Sequence, residues 1–343
     1  MRSFASDNNS GVHPLVMDAV VKANAGHTVG YGDDPYTQEA VNKLKECFGR
    51  EAGIFFVFNG TGANSVALQA VTRSFHSILC TQTSHIYVDE CGAPARMSGC
   101  AVTPIPTTDG KLSPEQIRPY LHNFGVCHHS QPKVVYISQV SELGTVYTID
   151  EIKAIAGLLH RHGMYLHVDG ARLANACASL NCSMKELTAD AGVDILSFGG
   201  TKNGMMMGEA VVSFRPEITE NIAYFRKQSA QLASKMRYLS AQFIPYLENG
   251  LWLENARHAN QMAARLAGIL KQYPCIRFTQ KPESNQLFFT MPGHAARLLS
   301  EKYFFYYWNE AISEVRLVTS WDTSDEDLSC LEQSLKEILN TYI

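Results

Sequence analysis

The alternation of short apolar runs with helical segments over the first two thirds of the chain constrains the fold most. The runs at 53–58, 133–140, 165–169 and 193–200 are typical of buried strands, and amphipathic stretches separate them. Strands joined through helices need right-handed crossovers and form a mostly parallel sheet. Such sheets bind ligands beyond the carboxyl ends of their strands. The residues that follow each strand are therefore the first candidates for function.

The pattern changes after about residue 216. A long, nearly all-helical stretch is followed by strand-like runs at 275–279, 285–291 and 314–321, and then by a closing helix at 325–342. We therefore expect an α/β chain of two domains. Residues 1–245 form a large domain with a mostly parallel sheet, including the N-terminal segment and a helical bridge. Residues 246–343 form a smaller C-terminal α/β domain.

Composition excludes several classes of protein. The formal net charge is −4 over 343 residues, which gives no basic surface for nucleic acid. No apolar stretch is long enough to span a bilayer, and the first residues do not resemble a secretory signal. The nine cysteines are an odd number without CxxC pairs, which favours a reducing compartment over a disulfide framework. We expect a cytoplasmic protein without a membrane or nucleic-acid partner.

The first candidate site is the turn "NGTG" between the run at 53–58 and a helix. Asn59, Gly60, Thr61 and Gly62 put free backbone N–H groups at a helix N-terminus, where the helix dipole favours an anion such as a phosphate. The alternative is a plain tight turn, because the segment lacks the lysine of a P-loop and the glycine spacing of a dinucleotide-binding motif.

Two further candidates follow the next strands. In "HVDGAR", His167 and Asp169 share a strand face, which suits a metal pair, a carboxylate for a cationic ligand, or a helix cap. Arg172 would crowd a metal ion, so no metal is expected. In "LSFGGTKNG", Thr201 and Lys202 follow a buried run and two glycines. A lysine in dry surroundings loses affinity for its proton and becomes a nucleophile; the alternative is a solvated surface charge.

The three candidates together suit one ligand. A phosphate-binding turn, an aspartate for a pyridinium nitrogen and a lysine for a Schiff base are the parts of a pyridoxal 5'-phosphate (PLP) site. The turn, the aspartate and the lysine also follow one another along the chain in the order that a PLP site requires. Thr201 lies beside the lysine and is a further candidate for cofactor binding. The sequence therefore predicts PLP as the cofactor.

At this point the sequence resembles the low-specificity L-threonine aldolases, which are fold-type I PLP enzymes related to aspartate aminotransferase. The resemblance covers essentially the whole chain, from "FASDNNSG" to "SWDTSDED", and is carried by "YGDDPYT", "FVFNGTGANSVAL", "SHIYVDECGAP", "ELGTVYT", "HVDGARLANA", "LSFGGTKNG", "QLASKMR" and "VRLVTSWDT". It implies retro-aldol cleavage of L-threonine, L-allo-threonine and related β-hydroxy-α-amino acids to glycine and an aldehyde. It also implies a homodimer or homotetramer with the active site near a subunit interface.

The resemblance implies roles for individual cofactor-binding residues. Lys202 corresponds to the lysine that forms the Schiff base with PLP. Asp169 corresponds to the partner of the pyridine nitrogen, and Arg172 to an arginine beside the phenolic oxygen that also contacts substrate. Gly60 and Thr61 correspond to the pair that binds the phosphate. A cation among Lys227, Lys235 and Arg237 is expected at the phosphate, and the choice among them stays open.

The resemblance also implies residues for substrate and catalysis. His85, in "SHIYVDE", corresponds to a histidine that stacks on the cofactor ring and is a candidate base. His128, in "CHHSQP", is a second candidate, with His129 as its rival. Ser6 and Arg316 correspond to residues that hold the substrate α-carboxylate.

Two other functions stay open at this stage. The first is another fold-type I enzyme, a β-eliminating amino-acid lyase or an aminotransferase. The second is a catalytically silent PLP-binding protein, which would need neither Lys202 nor Asp169.

Overall fold

The large sheet has seven strands and lies in the first two thirds of the chain. The computed structural model describes residues 2–340, and the last two residues of the expected closing helix lie outside this range. The strands are β1 (Gly53–Val57), β2 (His76–Thr81), β3 (Ala101–Ile105), β4 (Gln131–Ser138), β5 (Tyr165–Gly170), β6 (Ile195–Gly199) and β7 (Glu209–Ser213). Their order is β1-β7-β6-β5-β4-β2-β3. Six strands run in the same direction, and only β7 runs in the opposite direction.

The small sheet is antiparallel. Its strands are β8 (Arg277–Phe278), β9 (Gln286–Thr290), β10 (Tyr306–Asn309) and β11 (Glu314–Val318), in the order β10-β11-β9-β8. The prediction of an α/β fold of type I, with a mostly parallel large sheet and a second, smaller α/β unit, is confirmed.

Fifteen α-helices within residues 2–340 surround the two sheets. They are α1 (Pro14–Lys22), α2 (Pro35–Phe48), α3 (Gly60–Val71), α4 (His85–Val88), α5 (Ala93–Ser98), α6 (Pro114–Ile117), α7 (Ile149–Arg161), α8 (Leu173–Leu180), α9 (Met184–Leu187), α10 (Pro216–Gln228), α11 (Arg237–Ser240), α12 (Phe243–Leu247), α13 (Leu251–Leu270), α14 (Gly293–Lys302) and α15 (Asp325–Leu339). None of these helices combines the length and apolar character that crossing a membrane requires.

Alternation along the buried strands explains the layers. In β4, Val135 and Ile137 pack into a core with α2, α7, α8 and α9, whereas Val134 and Tyr136 pack into a second core with α3 and α10. Successive strand residues point to opposite faces, so a strand that is apolar throughout needs helices on both sides. The large sheet is therefore the middle layer of three.

The N-terminal segment contacts the small sheet as well as the large one. Phe4 donates its N–H to Phe304 O at 2.8 Å, and Val318 donates to Phe4 O at 2.8 Å. The Phe4 ring is fully buried in the core of the small unit. The segment thus contacts both units, and its assignment to a large domain of residues 1–245 stays a prediction.

Parallel strands bring their carboxyl ends to one side of the large sheet. The ends of β2, β4, β5 and β6 meet there, and β7 begins there because it runs in the opposite direction. We call this the carboxyl side of the large sheet. The small sheet's face that carries Arg316 lies against it across a cavity.

Candidate active site

A cavity of about 550 Å³ lies on the carboxyl side of the large sheet, between the two sheets. Five predicted site residues line this cavity: Ser6, His85, Arg172, Lys202 and Arg316. They come from positions up to 310 residues apart in the chain. The topology assembles them because His85, Arg172 and Lys202 follow strands of the large sheet. Arg316 lies on the facing side of the small sheet, and Ser6 lies in the N-terminal segment. Other residues in the walls are Asn8, Asn9, Asp89, Glu142, Gln286, Tyr306, Tyr307 and Trp308.

Lys202 lies in a single 3-10 turn, Thr201–Asn203, directly after β6. Asn203 anchors the turn by donating from Nδ2 to Tyr246 Oη at 2.9 Å and to Trp252 O at 2.8 Å. Gly199 is required because a Cβ there would lie 2.6 Å from Glu209 Oε2. Burial lowers the pKa of Lys202, and the nearby positive charge of Arg172 lowers it further. The amine is thus prepared to act as a nucleophile.

Asp169 lies at the end of β5, one strand away from the lysine turn. Its Oδ2 accepts hydrogen bonds from Tyr136 Oη at 2.6 Å and Asn64 Nδ2 at 2.8 Å, and its Oδ1 accepts from Ala171 N at 2.9 Å. Burial alone raises its pKa, but the hydrogen bonds and the charge of Lys202 outweigh burial and hold the pKa below 3.8. The carboxylate is therefore ionised at neutral pH, which suits a protonated ring nitrogen.

The predicted phosphate-binding turn begins α3. Asn59 is the N-cap, and its side chain accepts from Gly62 N at 2.8 Å. The amides of Gly60 and Thr61 have no acceptor within the helix, because they belong to its first turn. A Cβ at Gly60 would meet no other heavy atom within 4 Å, so the backbone there is open to a ligand. This donor set matches a phosphate group.

His85 begins α4, and a buried carboxylate fixes its ring. Its Nδ1 lies 2.7 Å from Glu90 Oε1. Asn64 Nδ2 also donates to Glu90 Oε1 at 2.8 Å, so Asn64 bridges Glu90 and Asp169. The hydrogen bond to Glu90 raises the pKa of His85, with a smaller contribution from the charge of Asp169. The hydrogen bond to Glu90 therefore stabilises the protonated ring relative to a free imidazole.

Arg172 pairs with an aspartate that the sequence analysis missed. Its Nε and Nη2 donate to the two carboxylate oxygens of Asp7 at 2.7 and 2.8 Å, and Asn285 Nδ2 donates to Asp7 Oδ2 at 3.0 Å. Burial raises the pKa of Asp7, but Arg172 outweighs it and the pKa is lowered. Two of the donors of Arg172 are thus used to hold the N-terminal segment, and its remaining donors face the cavity.

Arg316 lies in β11 between two aromatic rings. Its guanidinium carbon is 5.5 Å from the centre of the Tyr306 ring and 5.2 Å from that of Trp308. Nη2 donates to Ala5 O at 3.1 Å, and the buried Nε has no hydrogen-bond partner within residues 2–340. Burial lowers its pKa to about 10. A cation with an unused buried donor is a ready site for a carboxylate. Ser6 reaches the same cavity from the N-terminal segment.

His128 does not reach this cavity within one chain, contrary to the expectation. Both His128 and His129 are exposed in the loop before Gln131, where β4 begins. The start of a parallel strand lies at the end of the sheet opposite its carboxyl side, so the loop is directed away. The three candidates for the one cation at the phosphate do not line this cavity either. Lys227 lies over the Tyr31 ring at 5.3 Å, Lys235 lines another cleft, and Arg237 donates to Ala25 O and Gly26 O.

Three acidic residues of the site were not assigned from the sequence. Glu142 could have been found by the strand-end rule, because it follows β4 directly. Glu90 lies five residues after His85 in a segment that carried the resemblance. Asp7 lies in "FASDNNSG", where the resemblance begins, but no local pattern predicts its pairing with Arg172, since 165 residues separate the two. Within residues 2–340, no cluster of three or more potential metal ligands is present.

Comparisons with known proteins agree with this geometry. Residues 3–292 match the beta-eliminating lyase family. A low specificity L-threonine aldolase of a Pseudomonas species is 41% identical over 340 residues, which covers 99% of this chain and 98% of that protein. A Leishmania major threonine aldolase structure superimposes with a TM-score of 0.93 at 31% identity, covering 99% of this chain and all of that one.

More distant structures share the fold alone. An alanine–glyoxylate aminotransferase from a Nostoc species superimposes with a TM-score of 0.71 at 16% identity, covering 98% of this chain and 95% of that one. The same fold therefore carries other reactions, and the near-complete match at 41% identity is the more informative one. The chain belongs to the low-specificity L-threonine aldolase family of the beta-eliminating lyases.

Proposed function

We propose that the chain is a PLP-dependent L-threonine aldolase that cleaves L-threonine, L-allo-threonine and related β-hydroxy-α-amino acids to glycine and an aldehyde. The observation that carries the proposal is the pair at neighbouring strand ends: the buried Lys202, whose pKa is lowered, and the buried, ionised Asp169. Family membership at 41% identity supports the same activity.

PLP fits the residues of this site. Lys202 would hold its aldehyde carbon, Asp169 its pyridine nitrogen, and the first turn of α3 at Gly60 and Thr61 its phosphate. Thr201 would support the lysine turn, and His85 would stack on the ring. When bound, PLP supplies an electron-withdrawing ring that stabilises negative charge on the α-carbon of an amino acid.

The cavity walls account for how an amino acid would be held. Arg316, with Ser6, would bind the α-carboxylate, and the remaining donors of Arg172 would face the same ligand. Anchoring the carboxylate sets which bond of the α-carbon is perpendicular to the cofactor ring. For aldol cleavage that bond is Cα–Cβ. His85, held by Glu90, would hold a proton beside the substrate.

We also propose a homo-oligomer, a dimer or tetramer with the site near a subunit interface. Large apolar side chains are exposed next to the site residues: Tyr87 and Val88 follow His85, and Phe58 precedes the phosphate-binding turn. A second subunit packed beside the site would bury these side chains. Sedimentation equilibrium would give the mass directly. The odd number of cysteines without CxxC pairs supports a cytoplasmic location.

The decisive experiment incubates the purified, PLP-loaded protein with L-threonine, L-allo-threonine and their D-forms. We expect glycine and acetaldehyde in equal amounts from both L-substrates and very little from the D-forms. Ammonia with a keto acid would instead indicate a β-eliminating lyase. Conversion of the cofactor to its pyridoxamine form with a keto-acid product would indicate an aminotransferase. A protein that binds PLP but yields none of these products would be catalytically silent.

A further inference from the structure

Glu142 lies in the turn after β4 and lines the cavity beside His85. Its Oε1 accepts two hydrogen bonds, from His85 N at 2.7 Å and from Ser138 Oγ at 2.6 Å. In the part of the chain that the structure describes, no Lys, Arg or His side chain forms an ion pair with it. A carboxyl group in a cavity wall without a cationic partner is costly, which suggests a role other than stability.

The turn that carries Glu142 is rigid. Ser141 N donates to Thr145 O at 3.0 Å, the two hydroxyl groups lie 2.6 Å apart, and Gly144 N donates to Ser141 O at 3.0 Å. Gly144 has a φ of +78°, and a Cβ there would lie 3.2 Å from Gln286 Cβ. The carboxyl group is therefore held in one position, as an acid–base group requires.

His85 and Glu142 have complementary environments. The Nδ1 of His85 lies 2.7 Å from Oε1 of the buried Glu90, and this hydrogen bond raises the pKa of His85. Burial raises the pKa of Glu142 above 4.5, toward the range where a carboxylate can take up a proton. The other charged groups that line the cavity with it are Asp89, Arg172, Lys202 and Arg316, and the charge of Asp169 at the end of β5 also raises the pKa of Glu142.

We propose that Glu142 is the base that removes the proton from the substrate's β-hydroxyl group. This inference rests on the proposed aldolase function. The proton passes to the carboxylate, the O–H electron pair forms the aldehyde C=O bond, and the Cα–Cβ electron pair remains on the α-carbon. The α-carbon then takes up a proton to give glycine, and Glu142 releases its proton to solvent.

The first test is Glu142→Gln, with Glu115→Gln on the exposed side of α6 as a matched control. We expect cleavage of L-threonine to fall roughly 10²- to 10⁴-fold in Glu142→Gln and to stay unchanged in the control. PLP loading, measured by absorbance, and hydrogen exchange at the α-carbon of glycine, measured by NMR, should both stay near wild type. Glycine has no β-hydroxyl group, so its exchange does not need this base.

The second test is Ser138→Ala, which leaves the carboxyl group in place. Loss of the Ser138 hydrogen bond removes an interaction that lowers the pKa of Glu142. The acidic limb of the pH profile of kcat/KM should therefore move to higher pH.

Three results would overturn the proposal: near-normal cleavage in Glu142→Gln, equal loss of cleavage and of glycine exchange, or an unmoved limb in Ser138→Ala. If the wild type forms no glycine from L-threonine, the aldolase function itself fails, whatever the variants do.

Discussion

The ion pair between Asp7 and Arg172 should hold the N-terminal segment in place, and Asp7→Asn tests this. The Asp7 side chain is fully buried, and the Arg172 side chain is 11% exposed. The substitution keeps the shape but leaves Arg172 without its anion. Breaking a buried pair by removing one partner costs about 3–5 kcal/mol.

This loss of unfolding free energy can be converted to a change in the melting temperature, Tm. An unfolding entropy of about 2.1 cal/mol/K per residue gives about 0.7 kcal/mol/K for this chain. A loss of about 3–5 kcal/mol then lowers Tm by about 4–7 °C. Differential scanning calorimetry of the PLP-free protein near pH 7 measures the change without a contribution from cofactor binding.

Asp190→Asn is the matched control for this experiment. Asp190 pairs with Lys185 at 2.7 Å, but both side chains are about half exposed, at 46% and 49%. Exposed pairs contribute about 0–1 kcal/mol, so Tm should change by about 1 °C or less. If Asp7→Asn lowers Tm no more than Asp190→Asn does, the pair does not hold the segment, and our account of how Ser6 reaches the cavity is wrong.

Three further predictions concern the site itself. Asp169→Asn should lower kcat on the order of 10²-fold, because the charge that matches a protonated ring nitrogen is lost; steady-state kinetics with unchanged kcat would remove the residue from the mechanism. Arg316→Lys should weaken substrate binding by roughly 1.5–3 kcal/mol and raise transamination relative to cleavage, because lysine lacks the two-pronged geometry; if KM and the product ratio both stay the same, the carboxylate assignment is wrong. Glu90→Gln should lower the pKa of His85 in an NMR titration, since the hydrogen bond to Glu90 is the main cause of the raised value. In the wild type, the contact between His85 and Glu90 contributes its full stabilisation to the fold below pH 6.5. This contribution is lost as the pH rises through the raised pKa of His85. Glu90→Gln should remove this pH dependence of the stability.

The fold could be predicted because its determinants are local. The continuous apolar runs at 133–140 and 193–200 indicate strands buried on both faces. Thr148 and Glu151 form a capping box at the start of α7, and Gly163, just past its end, has a φ of +63°. The pairing of Phe4 with Phe304 and Val318 could not be predicted, because it joins the two ends of the chain and no local pattern specifies it.

The site could be predicted in part for the same reason. Asp169 lies at the carboxyl end of one buried strand and Lys202 follows the next, so the topology alone places them on one side of the large sheet. The position of His128 depends on the direction of the loop before β4. No local sequence pattern indicates that direction. The partner of Arg172 and the protonation of His85 depend on Asp7 and Glu90, whose contacts arise only when the chain has folded.

The central claim is that one cavity performs the cleavage with PLP bound to Lys202. The most direct measurement reduces the purified, PLP-loaded protein with borohydride, digests it and locates the modified lysine by mass spectrometry. We expect the cofactor on the peptide that contains Lys202 and on no other peptide, with the label absent from Lys202→Ala. A label on another lysine, or an unlabelled Lys202 in protein that cleaves L-threonine, would contradict the account.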